Sequence, residues 1–200
     1  MRSRVFRLAV MLVLPFTVVS LRAADVTRQQ AALFERKLGE IAKPNPPTAR
    51  PGLRRTPVTE TELNSWFQFE APPLLPDGVT EPQVTLVGGG KVAGHAVVDL
   101  DRVAKSRTTG GLFDPWRYLG GRVPVDVTGT LRTADGMGRF EIESAQLSGV
   151  PVPRVLLQEV VSYYSRGEKT PQGVRLDDAF PLPAGIRQIE LGQGRAVVVQ

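Results

Sequence analysis

The sequence predicts an α+β fold in which a few helices accompany an antiparallel β-sheet. Several segments alternate apolar and polar residues, as half-buried strands do, and turns containing glycine separate them. Other segments repeat apolar residues every three or four positions, which is typical of amphipathic helices. The 200 residues include 20 glycines and 17 prolines, and this many turn-forming residues favours short strands over a helical bundle.

The N-terminal segment has the layout of an export signal. Three arginines precede an apolar run over residues 8–21, and two alanines follow at positions 23 and 24. A positive start, an apolar run of about 7–15 residues and a small-residue cleavage site define a secretory signal. Because Leu21 or Arg22 would occupy the position three residues before the cut, an uncleaved membrane anchor is the alternative. Residues 1–23 are therefore predicted to be a signal peptide or an uncleaved anchor, and the protein to be exported, periplasmic or extracellular.

Composition argues against several classes of protein. The formal net charge is +5, but residues 1–23 hold four arginines and no acidic residue, which leaves 21 basic against 20 acidic residues in the remainder. Nucleic-acid binding normally relies on a surplus of basic residues, so we expect no nucleic-acid partner. The absence of cysteine excludes disulfide bridges and the lipidated cysteine of a bacterial lipoprotein.

The first predicted helix covers residues 27–42, and a proline-rich arm follows over residues 43–58. Together they form a segment at 24–57, ahead of a single antiparallel α+β domain at 58–200. The helix is either part of a flexible arm or docked on that domain. Its apolar face consists of Ala31, Phe34, Leu38 and Ile41.

A second helix is predicted to begin at Thr59. Thr59 and Glu62 have the spacing of a capping box, in which each side chain accepts a hydrogen bond from the backbone N–H of the other residue. Leu63, Trp66 and Phe67 lie on one face of this helix. Asn64 is expected either to face solvent or to bond to the backbone.

Three hairpins are predicted downstream. The first covers residues 83–100 around the glycines at 88–90, and the last covers 186–200. Between them, residues 123–132 form the clearest strand, with one buried and one solvated face, and residues 139–147 return antiparallel to it. The apolar alternation of the returning strand changes phase near Ser144, which predicts a β-bulge.

Two further segments complete the chain. Residues 107–121 are irregular but apolar, and we expect them to cover one end of the core. Residues 152–165 form an amphipathic helix whose wet side is expected to contain Arg154, Gln158, Glu159 and Ser162.

Residues that could carry catalysis or bind a metal are few. A zinc site or a Ser-His-Asp triad would need His95, the only histidine, and no Gly-x-Ser-x-Gly elbow is present. Asp99 with Asp101, and Asp177 with Asp178, are more simply solvated carboxylates. The glycines at 88–90 lack the spacing of a phosphate-binding loop. We therefore expect no enzyme, no metal and no cofactor.

The order of elements from about residue 58 to residue 200 resembles that of small exported lipid-binding domains of the tubular lipid-binding (TULIP) type and their AsmA-like relatives. The likeness includes the phrases TETELN at 59–64 and GVPVP at 149–153. It implies a curved antiparallel sheet wrapped around a long amphipathic helix, here 152–165, with N-terminal helices added. A channel between sheet and helix would accept an acyl chain.

The resemblance implies a non-enzymatic binding protein that holds or shuttles lipid or another apolar ligand. Alternatively, the protein is a structural or protein-interaction component of the cell envelope, with an envelope protein or a membrane surface as partner. The candidate lining residues, which could equally fill a dry core, are Trp66, Leu156, Val160, Tyr163 and Tyr164.

Overall fold

A computed structural model of the chain describes residues 25–43, 54–102, 120–164, 166, 171–176 and 178–200. The predicted signal at 1–23 lies outside these residues. So do most of the proline-rich arm and nearly all of the predicted cover at 107–121.

The helices and the longer strands follow the predicted order, but short strands that were not predicted are added, and one of them covers residues 55–59 at the end of the predicted proline-rich arm. The helices are α1 (Arg28–Ala42), α2 (Glu60–Phe69) and α3 (Arg154–Tyr164), with a 3-10 turn at Pro72–Leu74. The longer strands are β2 (Val79–Gly88), β3 (Lys91–Asp99), β4 (Arg122–Ala134) and β5 (Met137–Leu147). The shorter strands are β1 (Arg55–Thr59), β6 (Val150–Pro151), β7 (Phe180–Pro181), β8 (Gln188–Gly192) and β9 (Arg195–Val199).

These strands form two antiparallel sheets. The larger sheet has six strands: β2 to β5 follow one another as a meander, and β6 and β7 pair with opposite ends of β5. The smaller sheet has three strands in the order β1–β9–β8. The predicted α+β class and the three predicted hairpins are confirmed. In the first hairpin turn, Gly88, Gly89 and Gly90 have φ angles of +99°, +61° and +85°, a region in which glycine is favoured.

The predicted bulge lies in β5. Thr128 of β4 pairs with Ser144, but its neighbour Gly129 pairs with Ile142, so Glu143 is the extra residue. Because side chains alternate along a strand, skipping one residue returns Ile142 and Ala145 to the same face. The bulge therefore keeps the apolar residues of β5 together.

Helix α1 is docked, not part of a flexible arm. Its Phe34 ring meets the Trp66 ring of α2 edge to face, with the ring centroids 5.8 Å apart. At the start of α1, the backbone N–H of Thr27 donates to the Ser65 hydroxyl at 3.2 Å. The capping box of Thr59 and Glu62 is present at the start of α2, as predicted.

The far end of α1 joins a small core next to the three-stranded sheet. Ile41 packs there with Ile186 and Val198, and all three side chains are buried. The buried Gln200 amide donates to the Ile41 carbonyl at 2.9 Å and accepts from Arg54 Nε at 2.8 Å. The chain leading into β1 is therefore tied to both α1 and β9.

The outer edge of β2 is closed by polar groups of α2. Asn64 accepts from the Val84 N–H and donates to the Val84 carbonyl, both at 2.8 Å, as a neighbouring strand would. Glu60 accepts from the Leu86 N–H at 2.7 Å. Of the two roles expected for Asn64, bonding to the backbone is the one observed.

Helix α3 is bonded to the chain that follows it. The Gln158 side chain donates to the Val174 carbonyl at 3.1 Å and accepts from the Leu176 N–H at 2.9 Å. The Ser162 hydroxyl also donates to the Val174 carbonyl. The expectation that Gln158 and Ser162 face solvent is wrong, because backbone groups of residues 174–176 occupy that side of the helix.

Candidate functional site

One face of the large sheet is apolar across strands β2 to β5. In the observed register Ala96 lies opposite Val125, and Val125 lies opposite Leu147, so the apolar positions of neighbouring strands share one face. This apolar face comprises Val84, Leu86, Val92, Ala96, Val98, Val123, Val125, Val127, Leu131, Phe140, Ile142, Ala145 and Leu147.

Most of these side chains are only partly buried. Leu86 and Ala145 are buried, at 4% and 6% exposure, whereas the other members of the apolar face keep intermediate exposure. A solvated sheet face normally carries polar residues. All described side chains of the apolar face are therefore at least partly covered.

Three glycines lie on the apolar face, and described side chains cover two of them. A Cβ on Gly129 would lie 2.6 Å from Cζ of Phe140, and one on Gly138 would lie 2.8 Å from the Phe180 ring. Within the described chain, a Cβ on Gly94 would meet only the Val127 carbonyl oxygen, at 4.0 Å. Phenyl rings therefore lie over Gly129 and Gly138, whereas no side-chain atom of the described residues lies within 4 Å of a Cβ on Gly94.

The end of the apolar face nearest the β4–β5 turn is closed by the small sheet. The Thr133 hydroxyl accepts from the Ile189 N–H at 2.8 Å and donates to the Ile189 carbonyl at 2.9 Å. The Leu182 N–H donates to the Gly136 carbonyl at 2.7 Å, which holds the chain after β7 against the same turn. These contacts hold the small sheet and the chain after β7 over this end of the apolar face.

The candidate lining residues predicted from the sequence are distributed over two regions. The Trp66 ring contacts Phe34 and Phe67, and its Nε1 donates to Glu35 at 2.6 Å, so its described contacts belong to the pair α1 and α2. Leu156 is partly buried on α3. The side chains of Val160, Tyr163 and Tyr164 lie outside the described residues.

The opposite face of the large sheet is polar. His95 of β3 lies opposite Asp126 of β4, with Nδ1 2.7 Å from the carboxylate, and both side chains are exposed. The hydroxyls of Thr128 and Ser144 are 2.6 Å apart. These groups lie on an open surface, where water competes for every contact.

Glu143 has the clearest electrostatic perturbation on this polar face. The Thr130 hydroxyl donates to its carboxylate at 2.7 Å, and the Lys91 ammonium lies 3.1 Å away. Both contacts favour the ionised form, and they lower the pKa of the Glu143 carboxyl, with the hydrogen bond from Thr130 as the larger cause.

The aspartates considered in the sequence shape the end of β3. Asp99 accepts from the backbone N–H of Arg102 at 3.1 Å, and Asp101 accepts from that of Gly121, also at 3.1 Å. Carboxylates with such partners stabilise turns. Asp178 is described, whereas Asp177 lies outside the described residues.

Comparison with protein-family models, curated proteins and solved structures finds no match to this chain. Among the described residues, no group of three or more His, Asp or Glu side chains could hold a metal ion. The described helices are too short or too polar to cross a membrane. Function therefore has to be inferred from the residues themselves.

The different surroundings of Gly94, Gly129 and Gly138 were not predicted from the sequence. The one local signal is parity, since Gly94 has the same phase as Val92 and Ala96 in a strand whose alternation is visible in the sequence. Whether a glycine on an apolar face is covered depends on side chains from other strands. Phe140 and Phe180 cover Gly129 and Gly138 from distant positions in the chain.

Proposed function

We propose that this protein is an exported, non-enzymatic binding protein that holds a lipid or another elongated apolar ligand against the apolar face of its large sheet. The observation that carries the proposal is the continuous apolar face of β2 to β5, whose aliphatic side chains are mostly only partly buried.

The physical basis is the transfer of alkyl groups out of water. Each methylene that moves from water onto an apolar surface contributes about 0.8 kcal/mol when fully buried. Gly94 lies opposite Val127 and two residues before Ala96 on this face, so a chain resting there would contact aliphatic side chains. The polar side chains of His95, Thr128 and Thr130 lie on the opposite face of the same strands, so a ligand on the apolar face would not displace them.

The proposal also gives α3 a role, which follows from the resemblance to TULIP and AsmA-like domains. In this arrangement the sheet curves around α3, and an apolar channel lies between them. β6 pairs with Leu147 and so brings the chain to the edge of β5 immediately before α3 begins. The partly buried Leu156 is then a lining residue. Val160, Tyr163, Tyr164 and Trp66 remain candidates of the same proposal.

Export is part of the proposal and is supported by the layout of residues 1–23. The docked part of the chain begins soon afterwards, at the hydrogen bond from Thr27 to Ser65. The N-terminal residue of the exported protein, determined by mass spectrometry, distinguishes a cleaved signal from a retained membrane anchor.

The alternative, an interaction protein of the envelope, was expected to use the first helix and the proline-rich arm. The apolar residues Ala31, Phe34 and Ile41 of α1 are buried within the molecule, which leaves less of that helix for a partner. Two strongly exposed apolar side chains, Val150 and Val155, at 64% and 72%, favour a contact surface elsewhere, around β6 and the start of α3.

The test is binding of a fluorescent fatty acid to the purified, delipidated full-length protein. We expect saturable binding that the variant Gly94→Leu weakens at least about tenfold, because the new side chain fills the space of two or more methylenes. Gly94 has no positive φ, so its backbone accepts leucine.

The matched control is Ala93→Leu, the neighbouring residue, whose side chain points to the polar face. This variant should bind like the wild type, and circular dichroism should show that both variants are folded. Absence of fatty-acid uptake, together with absence of lipid in native mass spectrometry of the purified protein, would refute the proposal.

A further inference from the structure

We propose that α3 and residues 171–176 open by local unfolding as one cooperative unit, here called the α3 unit, while strands β2 to β5 stay folded. The proposal concerns a conformational change of the protein without ligand, so it does not depend on the proposed function. Elements that move when a protein binds a ligand or a partner are generally drawn from segments of low local stability.

Side-chain contacts bind the two parts of the α3 unit to each other. The Gln158 side chain donates to the Val174 carbonyl at 3.1 Å and accepts from the Leu176 N–H at 2.9 Å. One helical turn later, the Ser162 hydroxyl donates to the same Val174 carbonyl at 3.3 Å. If α3 unfolds, Gln158 and Ser162 no longer share a face, and residues 171–176 lose these three bonds together.

The backbone of residues 171–176 also approaches α3 closely. Gly173 has a φ angle of +77°, and a Cβ on this residue would lie 2.5 Å from Cα of Ser162. Because Cβ atoms of folded proteins do not come so close to a neighbouring backbone, only glycine permits this contact. The contact is a second link between the two parts of the unit.

Short strands join the α3 unit to the large sheet. β6 precedes α3 and β7 follows residues 171–176, and each of them pairs with β5 through two residues. Strands β4 and β5, in contrast, pair through ten residues. Fewer backbone hydrogen bonds therefore have to break for β6 and β7 to leave β5 than for β5 to leave β4.

Helix α3 is too short to persist by itself. Its 11 residues are fewer than the roughly 12–15 that an isolated helix needs in water. Val155 is 72% exposed, and none of the described side chains of α3 is buried, whereas Leu176 is buried in the segment that follows. Once the unit leaves the sheet, we therefore expect α3 to unfold instead of remaining a free helix.

The experiment is native-state amide hydrogen exchange, followed by NMR on the full-length protein at increasing low concentrations of denaturant. We expect the amides of residues 158–161 and the Leu176 amide to share one protection factor, at least about tenfold lower than that of the β4 amides. Separate protection factors for α3 and Leu176, or values equal to those of β4, would overturn the proposal.

The variant Gly173→Ala tests the link between the two parts. Its methyl group would overlap Ser162, so the protection factors of α3 and Leu176 should fall together by at least about tenfold, with those of β4 unchanged. The matched control is Gly149→Ala, because Gly149 has the same φ of +77° but no described atom within 4 Å of a Cβ. This control should change the protection of α3 and Leu176 much less.

Equal effects of the two substitutions, or a loss of protection confined to Leu176, would also overturn the proposal. If Gly173→Ala does not fold, the exchange of the wild-type protein in denaturant decides the question.

Discussion

At the scale of the residue, Glu143 links the geometry of the sheet to its electrostatics. As the extra residue of the β5 bulge, it realigns the apolar residues on either side of it. Its carboxylate meanwhile accepts from the Thr130 hydroxyl and pairs with Lys91 on the polar face. These contacts connect β3, β4 and β5 where the ladder of backbone hydrogen bonds is interrupted.

We predict that Thr130→Val raises the pKa of the Glu143 carboxyl, because the hydroxyl is the larger cause of its lowering. The measurement is an NMR titration of the carboxyl group, and Lys91→Met should raise the pKa by less. A lowered pKa in the folded state contributes stability above the unfolded-state pKa and loses it as pH falls through the folded-state value. The free energy of unfolding should therefore fall less steeply at acid pH in Thr130→Val than in the wild type. An unchanged pKa of the Glu143 carboxyl in the NMR titration would contradict this prediction.

At the scale of the element, a nearly buried ion pair joins α1 to α2. Lys37 Nζ lies 2.7 Å from both carboxylate oxygens of Glu62, and it also donates to the Pro57 carbonyl at 2.6 Å. The side chains of Lys37 and Glu62 are 26% and 7% exposed. Because Glu62 also accepts from the Thr59 N–H at 2.9 Å, one carboxylate serves the capping box and the contact between helices.

We expect Lys37→Met to destabilise the protein by about 3 kcal/mol in chemical denaturation, because Glu62 would keep a buried charge without its cation. Lys43→Met is the matched control, since Lys43 pairs with Glu40 on the surface, where both side chains are more than 60% exposed. That control should change stability little. Equal effects of the two substitutions would show that burial of the pair is unimportant.

At the scale of the whole molecule, side chains bond to the edges of both sheets as a neighbouring strand would. Asn64 occupies both backbone groups of Val84 on the outer edge of β2, and Thr133 occupies both backbone groups of Ile189 on β8. The Gly194 N–H donates to the Leu86 carbonyl at 2.8 Å, which brings the β8–β9 turn to the same edge of β2. The backbone groups occupied in this way are not available to pair with another chain.

We predict that Thr133→Val destabilises the protein by about 1–3 kcal/mol, because it leaves the N–H and carbonyl of Ile189 without their partner. Amide hydrogen exchange at Ile189 should accelerate, and chemical denaturation should show the loss of stability. Thr85→Val, on an exposed position of β2, is the control and should change stability by less than about 0.5 kcal/mol. An Ile189 amide that stays protected in Thr133→Val would contradict the prediction.

Local features of the sequence determined much of the architecture. The α+β class, the hairpin at Gly88–Gly90, the bulge near Ser144 and the capping box of Thr59 and Glu62 all follow from residues close together in the chain. Strand alternation, helical periodicity and cap spacing are set by backbone geometry within a few residues, so they are visible before the chain is folded.

Only the tertiary structure decided which elements meet. Asn64 reaches Val84 across 20 positions, Thr133 reaches Ile189 across 56, and Gln200 reaches Ile41 across 159. The cover over Gly129 and the placement of Trp66 against α1 are of the same kind. A side chain that can hydrogen-bond, or that carries a ring, could find a partner in many places. Which partner it contacts depends on how whole helices and sheets pack, and no local pattern encodes that packing.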